Sequence, residues 1–436
     1  MRYYLKTYGC QMNSHDSEYL AGVLESFGWL ASPEEEADFV LLNTCSVRDN
    51  AEQKARSLLG KLRRRKLSQP ALVVAVLGCM GERTRHQLEK QAEIDLTLGP
   101  RQLEEFPDRL RRLHLERGWP LPVEAPITIP YRRARGVSAS VNITLGCNSF
   151  CSYCVVPLVR GREASRRPEE VSREVTEAVS CGFPEVLLLG QNVNSYGREW
   201  SGWDLARLLQ LLHPTPGLVR IRTMTSHPRD FSHSLVEQIA ELPKVCEHFH
   251  LPLQSGSDRL LHAMNRGYTR SEYLSLVQAI RGRFPRASIT TDLIVGYPLE
   301  EEADFLDTLQ LMEEVRFDNA HILAYSPRPG TAAYPLGDPI PKGEKGRRLS
   351  LLMEAHQVHA LERNQALVGE TVEVLVERRD PRSGKMYGRT GSDKAVYFPG
   401  EEAWIGSLRM VRVETAAAWS LLGISTPRHH AFGRAA

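Results

Sequence analysis

Cys147-Asn148-Ser149-Phe150-Cys151-Ser152-Tyr153-Cys154 is the stretch that decides how the rest of the chain is read. Its three cysteines are separated by three and then two residues, and they directly follow the strand-like run Val141-Asn142-Ile143-Thr144. Thiolates are soft ligands suited to iron–sulfur clusters, which usually take four of them. This loop supplies three, and no fourth cysteine follows nearby. A cubane held this way keeps one iron open to a non-protein ligand, and an open position separates a catalytic metal site from a closed structural one. A zinc knuckle or a set of core thiols would use the same residues differently. The spacing, the aromatic Tyr153 before the third cysteine and the strand-to-loop placement together favour the cluster.

Working outward, the chain has 436 residues, enough for two to four domains, and its 42% hydrophobic and 25% charged residues match an ordinary soluble protein. The net charge of +2 excludes a polycation, so any nucleic-acid contact has to come from local basic clusters. The alternating start Tyr3-Tyr4-Leu5-Lys6-Thr7 reads neither as a signal peptide nor as a membrane span. Eight unevenly spread cysteines do not suggest a disulfide framework, and a reducing, cytoplasmic setting is expected.

A first domain is expected over residues 1–116. Residues 3–7, 38–42 and 71–77 read as strands. Between them lie an amphipathic helix over 14–27 and a basic helix from 51 to 62 that ends in Lys61-Leu62-Arg63-Arg64-Arg65-Lys66. This βαβαβ order argues a small parallel sheet. Cys10, Cys45 and Cys79 follow the first, second and third strands in turn. Loops after parallel strands share one edge, where such sheets bind ligands, so cysteines far apart in sequence can meet there. They form either a second three-thiolate site or three unrelated buried cysteines, and spacing alone leaves both open.

Prolines mark residues 115–135 as a linker. A central domain over 134–364 follows, in which six apolar runs alternate with helices: an incomplete barrel of six βα units. Active sites on parallel barrels lie at the C-terminal strand ends, which makes Gln191, Asn192, Ser226, His227, Gln254 and Ser255 candidates for ligand contact. Each could equally cap a helix or satisfy loop backbone. His248 and His250 alternate with apolar neighbours and show no metal pattern, and Cys181 and Cys246 read as core thiols. Residues 366–428 change to about five short, evenly spaced strands, the pattern of a small OB-like closed barrel. There Arg389 and Lys394, with Tyr387 and Tyr397, offer the cations and rings that RNA binding uses, unless they are merely solvated. Residues beyond about 427 read as a disordered tail.

The cysteine loop resembles the signature of radical S-adenosylmethionine enzymes. The flanking motifs resemble the methylthiotransferase family within that group. They are Lys6-Thr7-Tyr8-Gly9-Cys10-Gln11-Met12-Asn13, Asn43-Thr44-Cys45-Ser46-Val47-Arg48, Leu77-Gly78-Cys79-Met80, Thr225-Ser226-His227-Pro228 and Leu253-Gln254-Ser255-Gly256. Gln11-Met12-Asn13, Gln191-Asn192-Val193-Asn194 and Gly388-Arg389-Thr390 are similar to the MiaB-type branch that acts on tRNA. The last domain resembles a TRAM domain, an RNA-binding module. The resemblance runs from Tyr3 to Ile424. One departure is Leu299, where the family usually has glycine, which raises the question of a different turn there.

The resemblance implies two 4Fe–4S clusters. Cys147, Cys151 and Cys154 would hold the radical cluster, with S-adenosylmethionine on the open iron and Tyr153 near its adenine. Cys10, Cys45 and Cys79 would hold an auxiliary cluster that carries the sulfur. By their places at the strand ends Gln191, Asn192 and Gln254 are expected to contact that cofactor, and by their chemistry Arg389 and Lys394 the RNA. The implied reaction is methylthiolation of C2 of N6-isopentenyl-adenosine at position 37 of tRNA, with two S-adenosylmethionine molecules. The implied partners are an anticodon stem-loop, an external electron donor and a sulfur source, with the enzyme a monomer and no membrane involved. Alternatives are a methylthiotransferase acting on a ribosomal-protein aspartate or on threonylcarbamoyl-adenosine, and a non-catalytic iron–sulfur RNA-binding protein.

Overall fold

The computed structural model describes residues 1–46, 49–91, 93–121, 131–133 and 136–426. Val47, Arg48, the linker prolines Pro122, Pro126 and Pro130, and the expected tail lie outside these residues.

The first domain is a five-stranded parallel sheet of order β2-β1-β3-β4-β5, made of β1 (Arg2–Tyr8), β2 (Leu30–Ala31), β3 (Phe39–Thr44), β4 (Val73–Gly78) and β5 (Leu96–Leu98). Side chains on a strand alternate between faces. Phe39 and Leu41 accordingly pack against Leu20 and Leu24 of α1 (Gln11–Ser26) and against Phe106 and Leu110 of α5 (Phe106–Arg117). Val40 and Leu42 face Leu58, Leu59 and Leu62 of α2 (Asp49–Ser68) on the other side. Both faces are covered, which is why β3 and β4 read as unbroken apolar runs. Two short helices, α3 (Cys79–Arg83) and α4 (Arg85–Leu88), follow β4. Helix α5 continues to Arg117, three residues into the span expected as linker.

The central domain has the six parallel strands expected: β6 (Ser138–Asn142), β9 (Glu185–Leu189), β10 (Arg220–Thr223), β11 (His248–His250), β12 (Ser288–Val295) and β13 (Asn319–Ala324). They form two three-stranded sheets joined through an Ile221–Val245 bridge, so the barrel is a curved, open wall. A small antiparallel pair, β7 (Thr144–Leu145) with β8 (Ala164–Ser165), brackets the cysteine loop and the helix α6 (Val156–Arg160). Helices from α7 (Pro168–Ser180) to α12 (Glu302–Val315) cover the outside, and one core runs from Val141 to Leu352. The 24-residue α13 (Lys342–Gln365) leads out to the last domain.

That domain is a closed five-stranded barrel of order β14-β15-β16-β18-β17, with β14 (Thr371–Arg379), β15 (Met386–Thr390), β16 (Ala395–Phe398), β17 (Leu408–Ala417) and β18 (Ser420–Ser425). Its 390–394 turn docks at the N-terminal ends of the central strands. Arg220 donates to the Arg389 carbonyl at 2.7 Å and Arg222 to that of Thr390 at 3.1 Å. Arg222 also pairs with Glu185 at 3.2 Å, both side chains 2% exposed.

This docking changes the reading of the two expected RNA-binding cations. Lys394 is buried, with its ammonium 2.6 Å from Asp318. Arg389 pairs with Glu377 at 2.6 Å and Asp393 at 2.9 Å. Both face the domain interface, because the acids that neutralise them line it. Cys181 is exposed at the end of α7 rather than in the core, whereas Cys246 is buried. Leu299 is not among the described residues with left-handed backbone, so the turn takes a side chain there without strain. Among the described residues, no helix is long and apolar enough to cross a membrane.

Candidate active site

The three cysteine-bearing loops of the first domain are stitched together by side chains their own motifs supply. Cys10 stands at the N-cap of α1, and its amide donates to the Asn13 side-chain oxygen. Asn13 donates to Asn43 Oδ1 at 3.0 Å, and Asn43 donates back to the Asn13 carbonyl at 2.8 Å. Thr44 donates to the Leu77 carbonyl at 2.7 Å. Loop one is thereby tied to loop two, and loop two to strand β4. Gly78 completes the edge: its φ is +85° and a Cβ would sit 2.5 Å from the Thr44 carbonyl, so no side chain fits. Cys79 then opens α3. Burial pushes its thiol up to about 11; Arg160 opposes this, and Cys45 and Cys10 add to it, so the three sulfurs share one electrostatic site.

The second trio hangs from the C-terminal end of the strand wall. Gly146 adopts φ +78° with its Cβ position 2.3 Å from the Arg162 carbonyl, another place only glycine can occupy. Its amide donates to the Gln191 side chain, and the Cys147 amide donates to the Gly161 carbonyl at 3.2 Å. Phe150 is left-handed at φ 46°, and the Asn265 side chain holds that turn by donating to the carbonyls of Ser149 at 3.2 Å and Phe150 at 3.0 Å. The buried Arg266 donates to Cys151 Sγ at 3.3 Å and to the Tyr153 hydroxyl at 3.4 Å. Burial pushes Cys154 up to about 12 and raises Cys147.

None of the eight cysteines, all among the described residues, is in a disulfide. Burial of Cys79, Cys147 and Cys154 disfavours a bare thiolate there, and a bound metal is what deprotonates such a thiol. Among the described residues no three His, Cys, Asp or Glu side chains converge on one ion. Three soft sulfur donors that leave one iron open suit a cubane, so the chemistry of each donor set fits a cluster.

The other expected contacts divide. Gln191 bridges the Gly146 amide and the Met12 sulfur, and so joins the two halves of the site. Asn192 donates to Asp230 at 2.6 Å and accepts from the His227 amide at 3.1 Å, which makes it a loop clamp. Gln254 is buried with a left-handed φ of 76°, a strain of the kind that gathers at functional sites. Among the described residues neither ring nitrogen of buried His227 has a hydrogen-bond partner, and burial, aided by Arg266 and Arg229, lowers its pKa to about 3, so the ring is neutral. Sequence reasoning missed Asn265, Arg266 and Arg160, although Met264-Asn265-Arg266-Gly267 is a compact polar stretch just past a helix.

The elements that carry the two trios meet at a packed interface. Cys79 packs with Val155 and Val159 on or beside α6, and Met12 packs with Leu187 and Leu189 of β9. Arg160 pairs with Asp16 at 3.1 Å, with both side chains buried. Glu174 of α7 accepts from His15 at 3.0 Å, Arg133 at 2.7 Å and Arg166 at 2.5 Å.

Residues 141–312 match the Radical SAM superfamily model, residues 365–425 the TRAM domain, and residues 2–99 the Uncharacterized protein family UPF0004. In fold the chain is similar to the radical S-adenosylmethionine methyltransferase TsrM from Kitasatospora setae, in a structure with tryptophan substrate and a SAM analog bound. The TM-score is 0.57 at 16% identity, over 76% of this chain and 75% of that one. Fold and cysteine loop thus define a radical S-adenosylmethionine enzyme with an added TRAM barrel. The chain is 48% identical to the tRNA-2-methylthio-N(6)-dimethylallyladenosine synthase of Moorella thermoacetica, over 96% of each chain. It is 46% identical to that of Pelotomaculum thermopropionicum, over 99% of each. It belongs to this synthase family.

Proposed function

We propose that the chain transfers a methylthio group to C2 of N6-isopentenyl-adenosine at position 37 of tRNA. In this reading residues 1–116 carry an auxiliary 4Fe–4S cluster on Cys10, Cys45 and Cys79. Residues 134–364 carry the radical cluster on Cys147, Cys151 and Cys154, and residues 366–428 serve RNA binding. The family names of the relatives favour the tRNA adenosine over a ribosomal-protein aspartate or threonylcarbamoyl-adenosine. The enzyme acts as a cytoplasmic monomer served by an external electron donor and a sulfur source.

The observation that carries this reading is the meeting of three strand-end thiols at one sheet edge, which packs on the helix that follows the second trio. When bound, the clusters and S-adenosylmethionine supply a carbon-centred radical and the sulfur, chemistry that a C–H bond without an acidic proton requires. The chain's residues orient and exclude water. Asn265 and Gly146 shape the cysteine loop, and Arg266 fixes Cys151 and Tyr153. Tyr153, Gln191 and Gln254 line the place of the cofactor, and Asn192 holds the His227 loop beside it. On the barrel, exposed Arg378 lies 3.9 Å over the Tyr387 ring, which is 5.1 Å from that of Tyr397. This face, rather than Arg389 and Lys394, offers stacking to RNA bases.

The test is anaerobic reconstitution of a Cys10→Ala, Cys45→Ala, Cys79→Ala variant. It should hold about half the iron, because each cubane has its own three thiolates. It should still release 5′-deoxyadenosine on reduction while making no methylthio nucleoside. Methylthiolated adenosine from this variant sinks the assignment.

A further inference from the structure

We propose that Arg160 is a positioning residue for the auxiliary cluster: Asp16 fixes its guanidinium so that a second N–H arm donates to the cluster's anionic sulfur and raises its reduction potential. This rests on the reading that Cys10, Cys45 and Cys79 hold that cluster.

Arg160 ends α6, the helix that follows the radical-cluster loop, yet its side chain belongs to the other domain's site. It is 3% exposed. Nη2 donates to Asp16 Oδ2 at 3.1 Å, while Asp16 Oδ1 accepts from Asn142 at 3.4 Å, so the carboxylate is gripped from two sides. Nη1 is buried with no nitrogen or oxygen partner among the described residues, and beyond Asp16 the guanidinium's hydrogen-bonding neighbour is the Cys79 sulfur. A buried cationic donor without such a partner is costly, and the exception calls for an explanation. The guanidinium lies beside Cys79 and within electrostatic reach of Cys10, two of the three thiols of the site. A cluster on those thiols would place anionic sulfur where the free arm is.

Hydrogen bonds to cluster sulfurs and nearby charge set reduction potentials, and a cationic donor favours the reduced, more negative state. Arg160 also couples the two halves of the enzyme, because its backbone is fixed by the radical-cluster loop and its head by the auxiliary edge.

The test uses the full chain with Cys147, Cys151 and Cys154 changed to Ala, so that only the auxiliary cluster is built. Into this background go Arg160→Gln, Arg160→Lys and the double change Arg160→Gln with Asp16→Asn, which removes the buried pair together. Iron and sulfide content and the midpoint potential are measured after anaerobic reconstitution. The double variant should keep its iron while the reduced-to-oxidised ratio at a fixed potential falls about tenfold, a shift of about 59 mV for one electron. Arg160→Lys should recover most of that shift. A potential unchanged in both glutamine variants overturns the proposal. Loss of the cluster from the double variant does so as well, since Arg160 would then be a structural tie only. If the background protein takes up no iron, the cysteine assignment itself is wrong and the proposal falls with it.

Discussion

Changing Lys394 to Met tests the docking of the C-terminal barrel most directly. The Lys394 ammonium sits 2.6 Å from Asp318 Oδ1, and the two side chains are 9% and 3% exposed. Asp318 keeps one other cation, Arg363 at 3.3 Å, and accepts from the Ile289 amide at 3.0 Å. Breaking a buried pair by removing one partner costs about 3–5 kcal/mol, because the remaining charge is left uncompensated. Arg363 offsets part of this, so about 3 kcal/mol is expected, and methionine keeps most of the aliphatic stem. Pairing Lys394→Met with Asp318→Asn removes both charges and should recover most of the loss. The chain has several domains, so a single unfolding free energy is poorly defined. Hydrogen exchange of β16, with urea unfolding followed by Trp404 and Trp419, isolates the barrel. Unchanged exchange protection together with weaker tRNA binding would refute the reasoning, since Lys394 would then be an RNA contact after all.

Three further outcomes follow from the same geometry. Glu174 is held at about 2: burial alone would raise it above its usual 4.5, but His15 and Arg166 outweigh that. A carboxylate depressed in the folded state contributes stability that is present above its unfolded pKa and lost as pH falls through the folded one, here between about 4.5 and 2. The loss should reach about 3 kcal/mol in urea unfolding of the metal-free protein, and Glu174→Gln should remove that stretch of pH dependence. Truncation after Gln365 should lower the melting temperature of the remaining chain, because it uncovers Arg222, Glu185 and Asp318; an unchanged melting curve would contradict the docking described. Gly146→Ala forces a side chain into a left-handed residue with a carbonyl 2.3 Å away, costing about 1–2 kcal/mol in backbone alone, and should selectively empty the radical site, read as loss of about half the iron.

The parallel sheet of the first domain was legible because its inner strands β3 and β4 are buried on both faces and read as apolar runs between helices. The edge strands Leu30–Ala31 and Leu96–Leu98 were not, since two or three residues carry no period. Cys147, Cys151 and Cys154 were legible as a group because their spacing is local. Cys10, Cys45 and Cys79 needed strand ends to be located first, and spacing alone left them undecided. Arg160 and Arg266 were invisible because the partners that give them meaning are remote, 144 residues away for Asp16 and 115 for Cys151. Lys394 misled for the same reason: whether a cation faces water or an acid is decided by Asp318, 76 residues earlier. Leu299 looked like a disrupted turn only because glycine is usual there, while the backbone does not use the conformation that needs it.

The way Arg220 and Arg222 reach the carbonyls of residues 389–391, where the barrel's turn begins, bears on how this protein can be re-engineered or can diverge. Those two arginines belong to a strand of the central wall, yet four of their acceptors are backbone carbonyls of the barrel, those of Glu373, Arg389, Thr390 and Gly391. Carbonyls are present whatever the side chains are, so the shape of that turn is what has to be inherited. A chimera that transplants a foreign barrel onto this chain keeps the arginines but changes the turn, and it strands two cations against an unsuited surface. Barrel and wall therefore form one inherited unit, and swaps meant to redirect RNA choice should be made on the outer rings at Tyr387 and Tyr397 while the turn is left in place.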